Sequence, residues 1–309
     1  MSTLATIFPV FFMLGLGIAS RIRGWVSTEQ KEGASSIIFT VLFPLMIFNL
    51  MATATIGGGH VLVIAYMVVV YLLALVVGKL LSGFTGKRYA HFSNFLMPVH
   101  EGGSVALPLY LSIVGASSNT VIFDVAGMTV TFVVFPVLIQ HIVSAGASPK
   151  EIVRNIFTNS FVIAVIGGLA LNFSGAYAWL MATPAGELYA STMSMVTSPI
   201  VGMILFTIGY DLKIDAQMVA PLAKLVVVRA AFYALALVGL HLLFPALMGD
   251  KEFMMAATIY LMSPVGFVVP AIISPLYKSD EDASFAAAFT SLFMAVTLVV
   301  YVAVVVFVA

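Results

Sequence analysis

Residues 94–114 read NFLMPVHEGGSVALPLYLSIV, a stretch apolar and long enough to cross a bilayer, with Pro98, His100, Glu101, Gly102, Gly103, Ser104 and Pro108 in its interior. A membrane-crossing helix takes about 20 predominantly apolar residues. Proline removes a backbone donor and crowds the preceding turn, so a regular helix is interrupted here. Backbone N–H and C=O groups set free in hydrocarbon need new partners. A broken helix carrying an acid at mid-membrane therefore implies a polar cavity, and the stretch reads as the binding site of a transporter.

The second half of the chain carries a counterpart. LMPVHEGGSVALPLY at 96–110 lines up by eye with LMSPVGFVVPAIISPLY at 261–277, where Pro264, Gly266, Pro270 and Pro275 interrupt another apolar stretch. Matching interrupted segments in two halves point to a midplane site between repeats.

Composition sets the class around these breaks. Of 309 residues, 62% are hydrophobic and 8% charged, with a mean hydropathy of +1.14, far from a soluble domain. An all-α polytopic membrane protein of ten spans is expected. The spans fall near 4–20, 34–54, 61–81, 94–114, 120–143, 155–173, 192–210, 219–244, 254–277 and 283–308. Residues 1–143 form a first five-helix repeat, 144–154 a cytoplasmic linker and 155–309 a second repeat. Net charge is zero, so nothing favours nucleic acid, and no cysteine is present for disulfides or thiolate metal sites. The opening MSTLATIFPVFF has no basic n-region, so no cleaved signal peptide is expected.

Orientation follows from Lys and Arg alone. Arg21, Arg23, Lys31, Lys79, Lys87, Arg88, Lys150, Arg154, Lys213 and Lys278 follow the odd spans, whereas Lys251 stands alone in the alternate loops. Both termini are placed outside and the central linker in the cytoplasm. With five spans in each half, the halves insert in opposite orientation, giving an inverted repeat of the kind used for alternating access.

Few residues are left to carry chemistry. Glu101 has two readings: a proton acceptor or cation ligand beside substrate, or a carboxylate that takes freed N–H groups and holds the break together. His100 is a relay partner for Glu101, since histidine titrates near neutral pH, or a hydrogen-bonding packing residue. Asp124 in the fifth span is a further coupling candidate. Arg229 in the eighth span binds a substrate carboxylate in a forked pair, or is a counter-ion to Asp124, Glu101 or Asp211. Gly102, Gly103, Ser104 and Val105 after the first break, and Pro264, Gly266 and Phe267 at the second, present unpaired N–H groups and helix-dipole ends that favour an anion. Asn49, beside the kink at Pro44, adds polar lining. Asp211 and Lys213 read as a solvated helix end, and the methionines and phenylalanines as packing and lipid contact. No His, Asp and Glu spacing suits a transition metal, so no cofactor is expected beyond a coupling proton or sodium ion. No paired aspartates or Ser/His arrangement suggests an enzyme.

The opening IFPVFFMLGLGIASRIRGWVSTEQKEGASSIIFTVLFPLMIFNLMATA resembles the start of the auxin efflux carrier family of bacterial membrane proteins. The shared features are Gly15 and Gly17 before a basic turn, Ser27 to Gln30, and a second span built on Leu-x-Pro. The proline-broken fourth and ninth spans also resemble that family's crossing helices. The resemblance implies a fold of the sodium–bile-acid-symporter type, with spans one, two, six and seven as scaffold and the others as a moving transport domain, often dimeric. It implies organic-anion substrates, auxin-like or dicarboxylic. Two departures stand out. Glu101-Gly102-Gly103 replaces a common Asn-x-Gly run, and the long central loop of plant members is missing. The expectation is a secondary carrier of a small organic anion in the cell inner membrane, proton-coupled, with Glu101 as coupling acid and an elevator-like or rocking cycle. A sodium symporter of the bile-acid type, with Glu101 and Asp124 around sodium, is the alternative within transport. A channel or a membrane sensor is the alternative outside it.

Overall fold

The computed structural model describes residues 3–143, 158, 160–212 and 216–309. Secondary structure among these residues is all helical, 84% helix without strands. Ten longer helices are used below: α1 Thr3–Arg23, α2 Thr28–Thr53, α3 Gly58–Leu80, α4 Gly102–Val114, α5 Asn119–Ile139, α6 Ser160–Phe173, α7 Pro184–Asp211, α8 Ala216–Leu243, α9 Lys251–Leu261 and α10 Asp280–Phe307. Among the described residues, seven helices (α1, α2, α3, α5, α7, the 222–243 part of α8, and α10) are long and apolar enough to cross a membrane. Seven of the ten expected spans are matched by such helices. The breaks shorten the fourth and ninth stretches, and the described part of α6 covers 14 residues. The central linker, 144–154, and Lys213 lie outside the described residues.

Two helices begin earlier than the hydropathy pattern places them, because their first turns are polar. Ser27 caps α2 with a reciprocal pair of bonds, its hydroxyl accepting from Gln30 N at 3.2 Å while its own N–H donates to the Gln30 side chain at 2.8 Å. Pro184 opens α7 at a first-turn position, where its missing N–H costs nothing.

Prolines account for three irregular turns. Widened π-helical turns occupy Ile38–Leu42, Gly102–Ala106 and Val130–Val134, and each ends two residues before a proline, at 44, 108 and 136. A proline ring collides with the carbonyl one turn earlier. Widening the turn moves that carbonyl aside without ending the helix.

The described chain divides into two compact units. In the first, α1 packs on the second half of α7, and α6 packs on the second half of α2. Small residues set both crossings: a Cβ at Gly17 would overlap the Phe206 carbonyl oxygen and one at Gly209 that of Leu14, while one at Gly168 of α6 would overlap the Phe48 carbonyl oxygen of α2. Such close backbone approach is how helices associate in lipid, where burial of apolar surface drives nothing. Polar caps finish the pairs. Arg21 donates to the carbonyls of Tyr210 (2.6 Å) and Leu212 (2.8 Å), and Asn172 to those of Met51, Ala52 and Ala54 (3.1, 2.9 and 2.7 Å). Lys31 pairs with Asp211 at 2.9 Å. Gly209→Ala is expected to cost about 1–3 kcal/mol, because the obstructing atoms are backbone and cannot rotate away. The check is the thermal unfolding midpoint of the purified protein in detergent, with Gly57→Ala, whose Cβ would meet nothing, as the neutral control.

The second unit contains α3, the breaks before α4 and after α9, α5, α8, α9 and α10. Its core is more polar than a lipid-facing surface allows: His100, Ser104, Asp124, Thr131, Arg229, Ser263 and Thr297 are buried there. Large apolar side chains face outward instead, among them Leu72, Leu73, Val76, Leu235, Leu242 and Val299. Apolar outside and polar inside is the distribution of a membrane-embedded multi-pass protein.

Candidate functional site

The two breaks are built by the prolines and glycines that mark them in the sequence. Residues 97–101 form no helix between the turn Ser93–Leu96 and α4, and residues 262–268 form none between α9 and the short helix Val269–Ile272. The segments touch directly, Glu101 N donating to the Pro264 carbonyl at 2.8 Å. Val99 has a left-handed backbone, φ 54°, which a β-branched residue adopts at a cost of about 1–3 kcal/mol.

The carbonyls freed by these breaks are taken up one by one. Arg229, fully buried on α8, donates from Nη1 to Leu96 O (2.8 Å) and from Nη2 to Val99 O (3.1 Å) and Ser263 O (3.3 Å). Tyr233, one turn on, donates to Met97 O at 3.0 Å. Thr297 of α10 donates to Met262 O at 2.7 Å. The guanidinium also lies over the rings of Tyr233 and Phe293, 5.3 and 4.9 Å from their centroids. It makes no ion pair with a carboxylate among the described residues. Its direct partners are backbone carbonyls, and any balance of the carboxyl charges acts without a direct ion pair. Its forked donors span both breaks, and its Nε is buried without a hydrogen-bond partner among the described residues.

Glu101 performs the complementary task for freed N–H groups. Its carboxylate accepts from Ser104 N at 3.2 Å and from the Ser104 hydroxyl, capping α4, and from Phe267 N at 2.6 Å across the second break. The converging donors thus hold the chain's own carboxylate. Around it the surface opens: Glu101 and Gly103 are partly exposed, and Phe267 and Val268 are 45% and 44% exposed.

Behind Glu101 runs a line of buried polar groups. His100 Nδ1 lies 3.2 Å from the Tyr71 hydroxyl on α3, Tyr71 donates to the Tyr260 hydroxyl on α9 at 3.3 Å, and Tyr260 donates to Asp124 Oδ1 on α5 at 2.9 Å. Asp124 rests against Gly102, where a Cβ would overlap its carboxyl.

Of the residues singled out in the sequence, Gly102, Gly103, Ser104, Val105, Pro264, Gly266 and Phe267 belong to the crossing, with His100, Glu101, Asp124 and Arg229 around it. Asn49 belongs to the other unit, where it accepts from Tyr189 at 2.9 Å. Tyr71, Tyr233, Tyr260 and Thr297 were missed. A hydroxyl in an apolar helix leaves no periodic trace, although the demand for donors at a proline break was readable. No protein-family model matches this sequence, and no curated protein does. The reading of the site therefore rests on its own geometry.

A second polar cluster closes the unit at the basic loop after α3. Arg88 and Tyr89 both reach Glu281, Tyr89 at 2.9 Å, and His91 meets Asp282 at 3.0 Å. Burial, followed by its bond to the Glu281 carboxylate, pushes the Tyr89 hydroxyl up from its ordinary pKa. This loop ties the entry to the first break to the first turn of α10, where Asp280, Glu281 and Asp282 complement the helix dipole.

Proposed function

We propose that the chain is a secondary carrier of a small organic anion, working by alternating access and coupled to protons through Glu101. The observation that carries the reading is the carboxylate of Glu101 held by N–H groups from both breaks at a partly open surface. Donors that hold one carboxylate suit another of similar geometry. An entering substrate carboxylate would replace Glu101 once a proton neutralises it, which links the two binding events.

The remaining features are read in the same frame. The first unit, built on α1, α2, α6 and α7, serves as scaffold, and the second, built on α3, α5, α8, α9 and α10, as the transport domain. The halves on either side of each break complete the fourth and ninth crossings, giving ten spans in two inverted repeats, with both termini outside the cell inner membrane. The protein is read as a dimeric, bacterial-type relative of the auxin efflux carriers. That placement is supported by the resemblance of its opening and of its two broken segments.

The test is flux in proteoliposomes loaded with malate or indole-3-acetate. A pH gradient should drive uptake by the wild type, and Glu101→Gln should lower that gradient-driven component on the order of tenfold. Transport by Glu101→Gln with unchanged pH and sodium dependence would sink the coupling role. Uptake that follows sodium instead of pH would replace proton coupling by a sodium symport.

A further inference from the structure

We propose that His100, Tyr71, Tyr260 and Asp124 form a proton relay, which stores and returns the coupling proton behind Glu101 through the phenol hydroxyls of Tyr71 and Tyr260. The inference rests on the carrier reading for its physiological meaning, but its chemistry is independent of any substrate.

Each link lies within hydrogen-bond reach: 3.2 Å from His100 Nδ1 to the Tyr71 oxygen, 3.3 Å on to Tyr260, and 2.9 Å to Asp124 Oδ1. The donors run in one direction. Tyr260 gives its proton to Asp124 and Tyr71 gives its own to Tyr260, so the Tyr71 oxygen is left to accept from a protonated Nδ1. When a proton moves along the line, the Nδ1–H bond of His100 breaks as a bond forms to the Tyr71 oxygen. Tyr71 passes its original proton to Tyr260, and Tyr260 passes its own to Asp124. Imidazolium and carboxylate become neutral imidazole and carboxylic acid, with both phenols restored. The return path is the same sequence reversed.

Placement makes the relay more than a structural network. Its two ends flank the proposed coupling acid: His100 precedes Glu101 in the chain, and the Asp124 carboxyl lies against Gly102, which follows it. All four members are buried, so solvent does not short-circuit the line. The groups facing it are Tyr233, whose ring lies 4.2 Å from that of His100, the Arg229 guanidinium on the same helix, and Glu101. One guanidinium thus accompanies two carboxyls. A buried cluster approaches neutrality when one of those carboxyls carries a proton, and this leaves a place for one mobile proton.

The test uses the full-length protein in lipid, with Tyr71→Phe, Tyr260→Phe and Asp124→Asn, variants that keep the shape of the side chains. Infrared spectra after a pH jump should show a protonated-carboxyl C=O band that Asp124→Asn removes. Tyr71→Phe and Tyr260→Phe should slow its appearance roughly tenfold or more. In the flux assay both Tyr variants should lose gradient-driven uptake of malate or indole-3-acetate while keeping exchange of internal for external substrate, which needs no net proton movement. Spectra that are the same in Asp124→Asn as in the wild type, with no band lost, or Tyr variants that protonate at the wild-type rate, would overturn the relay even if wild-type transport is proton-driven. If the wild type carries neither probe, the carrier reading fails, and the infrared result alone still decides the relay.

Discussion

Replacing Arg229 by methionine should leave most of the protein unfolded or aggregated after extraction, a larger effect than loss of any other charged side chain. Methionine fills much of the same volume, so the effect isolates hydrogen bonding from cavity formation. Leu96, Val99 and Ser263 would each keep a buried carbonyl with no donor. A stranded buried acceptor costs about 1–3 kcal/mol, and three that share one donor sum to about 3–6 kcal/mol once partial relaxation is allowed. An opposing effect must be weighed. Arg229 is a buried cation without a carboxylate partner, and removing a charge recovers its desolvation cost. Here much of that cost is already offset by three carbonyl dipoles and by the faces of Tyr233 and Phe293, and a desolvated cation over a ring is worth about 2 kcal/mol. Val99 is held at φ 54° in part by its bond to Nη2, so its strain is released when the bond is lost. The carbonyl deficit therefore dominates. Arg229→Lys separates charge from geometry: an ammonium keeps the charge but lacks the planar fork that reaches both breaks. It should recover less than half of the lost stability, read as the unfolding midpoint in detergent. A wild-type midpoint for Arg229→Met would show that the breaks do not depend on this residue.

The same residue shows what the sequence made legible. The prolines and glycines at 98–108 and 264–275 placed both interruptions, and the scarcity of intramembrane charge singled out Glu101, Asp124 and Arg229. What a sequence of this kind hides is the identity of partners distant along the chain. Arg229 read as a partner of a carboxylate, the substrate's or the chain's own, because carboxylates are the usual partners of arginine, yet its fork goes to carbonyls released by proline, and those have no side-chain signature. The tyrosines were hidden for a related reason: within apolar helices Tyr71, Tyr233 and Tyr260 resemble packing residues, and only the crossing of α3, α8 and α9 brings their hydroxyls to polar groups. Hydropathy alone does not show where the breaks shorten the helices, as α9 stops at Leu261 and α4 starts at Gly102. The starts of α2 and α7 were read too late because hydropathy is blind to a polar first turn, although Ser27 with Gln30 and Thr183 with Pro184 were visible start signals.

Gly102→Ala should be among the most damaging methyl additions at the described glycines. A Cβ there would overlap the carboxyl of Asp124 from one side, while the backbone of residue 102 is fixed by the link from Glu101 N to the Pro264 carbonyl and by the first turn of α4. The expected cost is about 3 kcal/mol, at the upper end for overpacking, because Asp124 is itself tied to Tyr260 and has no free rotamer to retreat into. The obstruction is a side chain, and this gives the prediction its sharpest form. In Gly102→Ala/Asp124→Ala the clash disappears, so the double variant should be more stable than the sum of the two single variants by about 1–3 kcal/mol. Thermal unfolding of the four proteins measures that coupling. Additive losses would mean that the two residues do not meet. Stability and transport should then part company, because the double variant lacks the acid at the far end of the proposed relay. A protein that refolds to near wild-type stability yet takes up no malate or indole-3-acetate against a pH gradient would assign the glycine to accommodating Asp124 and the carboxyl to the proton.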